Sequence, residues 1–395
     1  MPVNRVPPGS QTSLREANRA RILDIIKRVG AMTQVELADA TGLSAATVST
    51  IVSELVASGI VTTTQVTRSG RRASQVTLSR HLGLFAGIHF SFRELRIVLA
   101  DPLGTVVGEQ RMPLPADHRA DTTMDRAAQL VSDMLEAIGA PQTELIGAGL
   151  GICAPYDQRA DTLTVPGLLR GWDEVTIAES MSRRLGKPVV ADNDANLAML
   201  GEARFGIARD ADSAVYVSIS HGVGGGILHH GEILRGATGT AGEIGHIRVV
   251  ENGLVCRCGN RGCLEMQVNS VLSAAVLREE IGALTLRDIV SMAMQGDLRC
   301  ARLIAEAATA IGVALSALCN VVNPEVIIVG GELANAGPLL IAPLQAAVER
   351  GTLHNPLNPP VIELSLLGEN AAVLGAAAYA FDSIRLPVRA LEVPA

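Results

Sequence analysis

Apolar positions recur at helical spacing in three stretches of the first eighty residues. Leu14, Ala17, Ile22, Ile25 and Ile26 predict a helix over about 13–29 that Gly30 ends. Thr33-Gln34-Val35-Glu36 has the Ser/Thr-x-x-Glu form of a capping box and opens a second helix over 34–41, stopped by Gly42. Ser44 caps a third over 45–58, with Val48, Ile51, Val52, Leu55 and Val56 on one face and Ala46, Thr47, Ser49 and Thr50 opposite. Residues 60–66 and 74–78 read as strands flanking Arg68-Ser69-Gly70-Arg71-Arg72. From Leu84 the pattern changes to apolar strands over 84–90, 94–100, 145–152, 188–191, 214–220 and 325–329. Helical stretches intervene at 122–138 and within 270–320, and a last one covers about 370–379. Strands alternating with helices predict an α/β body of two lobes with a cleft between them.

The short helices joined by Thr41-Gly42-Leu43-Ser44 make a helix-turn-helix, and the basic hairpin tip makes it winged. Gln34, Ser44, Ala45, Ala46, Thr47, Ser49 and Thr50 are the candidates for the DNA groove, and Arg68, Arg71 and Arg72 for the phosphates or the minor groove. The bland alternative is a helical hairpin with a solvated arginine loop. Charge favours the first reading. Residues 1–80 hold ten Lys/Arg against five Asp/Glu, whereas the remainder holds 23 against 35, so a basic head sits on an acidic body within a net charge of -7. At 395 residues, with 48% hydrophobic, 18% charged and 2% aromatic residues, the chain is too long for one core and too apolar for disorder. Its first residues show no secretory signal and no uninterrupted apolar span, so a cytoplasmic protein is expected.

Six cysteines divide into two groups. Cys153, Cys300 and Cys319 lie in apolar surroundings, as reduced buried thiols do, whereas Cys256, Cys258 and Cys263 crowd into eight residues after His246. One His and three Cys complete a tetrahedral Cys₃His set, the donor softness and number that zinc prefers in a structural site. Carboxylates stand beside this cluster, Glu243 before His246 and Glu265 after Cys263, and a metal there would fix both as acceptors for sugar hydroxyls. Asn193-Asp194-Ala195-Asn196 joins a strand to a helix, where Asp194 is able to take a proton from a hydroxyl or only to accept its hydrogen bond. Read alone, Asp194 is a helix cap and Glu243 a surface acid. Gly222 to Gly226, after Ser220-His221, and Gly330-Gly331-Glu332 form glycine turns after strands. Such turns serve as ligand cradles or, more commonly, as tight connections.

In that order these motifs resemble the ROK family of repressors and sugar kinases, within the actin-like, ribonuclease-H-like fold. The resemblance rests on His246 with Cys256-x-Cys258-Gly-x-x-Gly-Cys263-x-Glu265, on Ala241 to His246, on Asn193-Asp194-Ala-Asn, on the Gly222 to Gly226 loop and on Pro324 to Gly331, and it spans about 14–385. It implies a winged helix-turn-helix over 1–80, a small lobe over 81–193 completed by a C-terminal helix at about 369–395, and a large lobe with the zinc site over 194–368. It also implies that Asn193, Asp194, Gly222, Glu243, His246 and Glu265 contact a sugar, that His246, Cys256, Cys258 and Cys263 hold structural zinc, and that Asp194 stands where the kinases have their base. The family's kinases follow the first strand with Asp-x-Gly-x-Thr. Here His89-Phe90-Ser91-Phe92-Arg93-Glu94 follows, without the acid, glycines or hydroxyl of that turn, and Ser220-His221-Gly222 replaces a Gly-Thr-Gly. The expectation is a sugar-responsive regulator, a repressor of carbohydrate genes, whose kinase-like body has lost ATP phosphate binding, with Asp194 vestigial. Its partners would be operator DNA, a monosaccharide or derivative, and a second copy in a homodimer or dimer of dimers. The alternative is an active sugar kinase that carries a DNA-binding head.

Overall fold

The computed structural model describes residues 11–68, 71–115, 117–169, 171–273, 284–353 and 360–384. The head comprises α1 (Gln11–Val29), β1 (Met32–Thr33), α2 (Gln34–Thr41), α3 (Ala45–Ala57), β2 (Val61–Arg68) and β3 (Arg71–Leu78). Its boundaries follow the expected local chemistry. Thr33 and Glu36 close a reciprocal capping box, with Glu36 N donating to Thr33 Oγ1 at 3.2 Å and Thr33 N to Glu36 Oε2 at 2.8 Å. Gly42 takes the left-handed conformation (φ 68°) that ends α2, and Ser44 Oγ accepts from Thr47 N at 3.1 Å to start α3. α2 and α3 meet at a bend of 116°, within the range of helix-turn-helix pairs. Val48, Ile51, Val52 and Leu55 of α3 are buried, but Val56 is 39% exposed and Leu14 of α1 64%, against the sequence expectation for both. Leu14 stands in the first turn of α1, ahead of the core that begins at Ile22, and Val56 lies at the edge of the buried α3 face formed by Val48, Ile51, Val52 and Leu55. β2 and β3 extend the predicted strands to a full eight-residue pairing, with β1 beside β3; Ser69 and Gly70 of the wing tip lie outside the described residues.

Two five-stranded sheets make the body. The first has the order β10-β7-β4-β5-β6, from β4 (Leu84–Phe90), β5 (Glu94–Ala100), β6 (Val106–Pro113), β7 (Leu145–Ile152) and β10 (Val189–Asn193). α4 (Ala120–Ala137), the hairpin β8 (Tyr156–Asp157) and β9 (Thr162–Leu163), and α5 (Ile177–Leu185) belong to the same half. α6 (Asp194–Phe205) leads to the second sheet, ordered β13-β12-β11-β14-β15, from β11 (Ser213–Ile219), β12 (Val223–His229), β13 (Glu232–Ile233), β14 (Val326–Gly330) and β15 (Val361–Leu364). Helices α7 (Leu264–Leu272), α8 (Leu286–Met294), α9 (Leu298–Val322) and α10 (Pro338–Gly351) cover this half, and α11 (Ala371–Ser383) returns to the first. α9 is long and apolar enough to cross a membrane, yet Ile304, Ala307, Ala308, Ile311 and Leu315 are buried in the second lobe's core, as in a central helix of a folded domain.

α11 explains part of the chain's alanine and glycine content. It packs on β4, β7 and α6 with backbone nearly touching backbone: a Cβ at Gly149 would lie 1.8 Å from Ala376 O, and one at Gly375 would lie 1.7 Å from Leu197 O. The same helix joins head to body. Phe381 and Ile384 are buried in one apolar cluster with Ile22, Ile25, Ile26, Leu37 and Leu55 of the head and Phe85 and Ile146 of the first lobe, and Phe381 meets Phe85 edge-on at 5.3 Å.

Candidate functional site

Asn193 and Asp194 stand at the β10 to α6 junction, at the carboxyl edge of the first sheet, where α/β proteins build their clefts. Asn193 is the N-cap: its Oδ1 accepts from Ala195 N at 2.9 Å and Asn196 N at 3.3 Å, and its Nδ2 donates to Ala154 O at 3.2 Å. Its side chain is therefore committed to holding the junction. Buried Asp192 stiffens the same turn through Arg235 Nε at 2.7 Å and Asn196 Nδ2 at 3.1 Å. Asp194, one residue beyond the cap, turns a carboxylate toward His89 of β4, with Oδ2 3.2 Å from Nε2. His89 is where the kinase pattern has its acid, and its pairing with Asp194 had no signal in the sequence beyond that replacement.

The second lobe supplies the facing groups. Gly222 forms the tight β11 to β12 turn, and a Cβ there would lie 2.7 Å from Glu265 Oε2, so no other residue fits without displacing that carboxylate. Glu265 is buried at the start of α7, where Oε2 accepts from Val223 N at 3.3 Å and Oε1 from Arg257 Nη2 at 2.8 Å. The Arg257 guanidinium also lies 5.7 Å from the ring of Phe92, so the Cys-rich loop touches the other lobe at the very turn that departs from the kinases. Glu243 is half-buried, not a surface acid. Burial, reinforced by the charges of Asp194 and Glu265, pushes its carboxyl up to about 7. Asp194, Gly222, Glu243 and Glu265 thus converge on one cleft.

A raised carboxyl pKa fixes the sign of a pH effect. Glu243 contributes stability below its ordinary value of 4.5, and that contribution is lost as pH rises through about 7. Glu243→Gln is therefore expected to stabilise the protein at pH 8 relative to pH 5 by roughly 1–3 kcal/mol, read as a difference in thermal midpoints. Equal shifts at both pH values would show that burial of this carboxylate is not costly.

The glycines after Gly222 have a different part from the one their clustering suggested. Gly224, Gly225 and Gly226 lie inside β12, not in a loop. A Cβ at Gly226 would lie 2.4 Å from Ala195 O, so Gly224 and Gly226 let α6 press on one face of the strand, while Gly225 makes room for Gly242 and Ile244 on the other. Gly331 (φ 83°) likewise makes room against the backbone of Ile219, and Ser220 Oγ accepts from Glu332 N at 2.9 Å. At the first turn, Ser91 closes a hairpin on Glu94 O, with N at 2.9 Å and Oγ at 3.0 Å. Beneath it, buried Arg96 holds the carboxylates of Glu94 at 2.7 Å and Glu369 at 2.8 Å, while Arg111 reaches Glu369 at 3.1 Å.

His246, Cys256, Cys258 and Cys263 come together with all four donor atoms within 4.8 Å of one another. Cys258 Sγ is 3.7 Å from Cys263 Sγ, and Cys256 Sγ is 3.6 Å from His246 Nδ1. These are edge lengths of a tetrahedron: metal–sulfur bonds of about 2.3 Å give sulfur–sulfur edges of about 3.8 Å. A disulfide would need about 2.05 Å. The donor set can hold a metal, and Nδ1 faces the thiols, which leaves His246 Nε2 for another partner. Cys300 and Cys319 are buried, as expected, and Cys153 is half-buried beside Asp194, where burial and that charge push its thiol up.

On the head, Ser44, Ala45, Ala46, Ser49 and Thr50 are exposed along one side of α3, with Thr47 and Gln34 half-buried at its margin. Thr50 and Ser53 turn their hydroxyls back to Ala46 O and Ser49 O at 2.9 and 2.8 Å. Arg72 is exposed on β3; Arg68 and Arg71 end the two wing strands.

Fold and site together define a winged helix-turn-helix head on a two-lobed, actin-like body of the sugar-kinase type. A family model described as the ROK family matches residues 85–383, and one described as the MarR family matches residues 16–72. The chain belongs to the ROK family. The xylose repressor of Bacillus subtilis (strain 168) is 27% identical over 376 residues, covering 94% of this chain and 97% of that protein. The DNA-binding transcriptional dual regulator NagC of Escherichia coli (strain K12) is 26% identical over 392 residues, covering 93% and 95%. Glucokinase of Thermotoga maritima is 30% identical over 283 residues but covers only 68% of this chain. A solved ROK family transcriptional regulator, described as a homolog of the E. coli MLC protein, has the same fold with a TM-score of 0.77 at 22% identity, covering 93% of this chain and 97% of that one. A ROK family glucokinase from Streptomyces griseus, in complex with glucose and AMPPNP, matches with a TM-score of 0.66 at 26% identity, covering 75% and 99%.

Proposed function

We propose that this chain is a sugar-responsive transcriptional repressor of carbohydrate genes, acting in the cytoplasm as a homodimer whose two heads bind a pseudo-palindromic operator. The observation that carries the reading is the combination of a complete winged head with a ROK body over nearly the full length of the two regulators. α3 lies in the major groove with Ser44, Ala45, Ala46, Thr47, Ser49 and Thr50 toward the bases, and Gln34 of α2 and Arg68, Arg71 and Arg72 of the wing hold the backbone. Small side chains make few bidentate base contacts, so DNA shape and the wing carry much of the specificity.

In the cleft, Asp194, Glu243, His246 and Glu265 accept or donate to the hydroxyls of a monosaccharide, with Asn193 and Gly222 holding the backbone around it. The names of the xylose repressor and of a further relative, the N-acetylglucosamine repressor of Escherichia coli O6:H1, give xylose and N-acetylglucosamine as first candidates, with their phosphates beside them. Zinc on His246, Cys256, Cys258 and Cys263 fixes Glu265 and Arg257. No phosphoryl transfer is expected. The first turn is closed on itself by Ser91 and carries bulky side chains in place of the acid and glycines of the kinase pattern, which keeps a nucleotide's phosphates from a close backbone approach.

The test is fluorescence anisotropy on the duplex that the protein selects from a random pool, titrated with xylose, glucose, N-acetylglucosamine and their 6-phosphates, beside an ADP-release assay on the same panel. One sugar that shifts operator affinity with no ADP released is the expected result. Sugar-dependent ADP release that Asp194→Asn abolishes would establish the kinase reading instead.

A further inference from the structure

α6 starts in the cleft and ends against the head. Its first residue is Asp194, and in its last turn Arg204 donates to the backbone carbonyl of Lys27 in α1 and pairs with Asp382 in the last turn of α11. Lys27 answers from the head: its Nζ donates to Phe381 O at 2.8 Å and lies 4.6 Å from the Phe381 ring. Arg204 is only 13% exposed. Burial lowers the Lys27 ammonium and raises the Asp382 carboxyl, so these charges depend on one another. Three elements therefore meet in one knot: the first helix of the DNA-binding head, the helix from the cleft and the C-terminal helix.

Nothing between the two ends of α6 is soft. Leu197, Ala198, Met199, Gly201 and Glu202 are buried, and the Glu202 carboxylate accepts from Ile207 N at 2.9 Å, Ser365 Oγ at 2.5 Å and Leu367 N at 3.1 Å, which clamps the helix to the second lobe. Against α11 it is held at two crossing points, Leu197 O on Gly375 and Gly201 on Ala371 O. The crossing centres near Met199, five residues from Asp194 and five from Arg204, or about 7.5 Å each way at 1.5 Å per residue. A rigid rod pivoted at its middle moves both ends by equal amounts in opposite senses. Room to move exists at the far end: a pocket of about 250 Å³ lined by Ile26, Lys27, Leu103, Arg204, Phe205 and Phe381 lies between head and body beside their shared contacts.

We propose that Arg204 is the positioning residue that transmits occupancy of the sugar cleft to the DNA-binding head, with α6 as the rod and Lys27 and Asp382 as its contacts. The inference rests on the reading that a sugar binds beside Asp194. Closure around the sugar tilts α6, displaces Arg204 from Lys27 and Asp382, and resets the angle of α1.

The test compares wild type, Arg204→Met and, as a second variant that keeps the side-chain shape, Asp382→Asn. Sugar affinity is measured by calorimetry with xylose, glucose and N-acetylglucosamine, and affinity for the selected duplex with and without each sugar. Wild type is expected to show a coupling factor within the usual range of about 5- to 150-fold, equal in both directions. Both variants are expected to keep sugar affinity and sugar-free operator affinity, while the factor falls below about twofold, a loss that a merely structural role would not give. Wild-type coupling in either folded variant would overturn the role of Arg204 and leave the sugar-responsive reading intact. A wild-type protein whose operator affinity ignores every sugar would overturn both.

Discussion

Cys263→Ala is expected to release the proposed zinc and abolish the proposed sugar binding in one step, with a loss of at least 10- to 100-fold in sugar affinity. Cys263 is fully buried immediately before α7, and the next residue but one is Glu265, whose carboxylate holds the Gly222 turn through Val223 N and the loop through Arg257. Arg257 itself lies between two of the proposed ligands. Without a metal, Cys258 Sγ would face Cys263 Sγ at 3.7 Å and Cys256 Sγ would face His246 Nδ1 at 3.6 Å, and the loop between His246 and α7 would be held only by its own short-range backbone hydrogen bonds and two isolated bridges, Arg248 to Cys263 and Val255 to Arg261. The head does not share this segment, so the variant should still bind the selected duplex. The measurement is zinc per chain by a chromogenic chelator, together with calorimetry and anisotropy on the same sample. Full zinc content in the variant, or unchanged sugar affinity, would dismiss the cluster as the organiser of the cleft.

Gly375→Leu is expected to destabilise the whole protein by about 3 kcal/mol or more and to lower sugar and DNA binding together. A Cβ there would lie 1.7 Å from Leu197 O and 3.0 Å from Gly201 N, both backbone atoms that no rotamer change removes. The clash separates α11 from α6, and α11 also completes the first lobe and the head core. A glycine on the surface gives the contrast: Gly186→Ala, with open space around its Cβ and a left-handed φ of 63° and ψ of 23°, should cost only about 1 kcal/mol. Thermal midpoints of the two variants test the ranking, and a Gly375 variant as stable as the Gly186 one would show that the helices have slack.

What could be read along the chain and what could not divide by distance. The capping box at Thr33, the stop at Gly42, the cap at Ser44 and the four clustered donors are local patterns, and the structure has all of them where residue chemistry put them. Pairings without a local signature were invisible: His89 with Asp194 spans 105 residues, and Lys27 with Phe381 spans 354. Arg257 on Glu265 is close in sequence, but its reach to Phe92 depends on how the lobes face each other. Gly224 to Gly226 read as a turn because glycine marks both turns and close packing. Only the approach of α6 to Gly224 and Gly226, and of Gly242 and Ile244 to Gly225, shows that the second applies.

The joining of α11 to the head also sets an order of events during synthesis. Ile22, Ile26 and Leu55 leave the ribosome first, yet the apolar cluster that they belong to is finished by Phe381 and Ile384 at the other end of the chain. The first lobe waits for the same helix, because Gly87 and Gly149 lie directly under the α11 backbone. Until α11 has been made, the head core therefore lacks its Phe381 and Ile384 side. A product cut short before that helix leaves Phe85, Ile146 and the facing head residues without cover, and such exposed apolar surface favours aggregation.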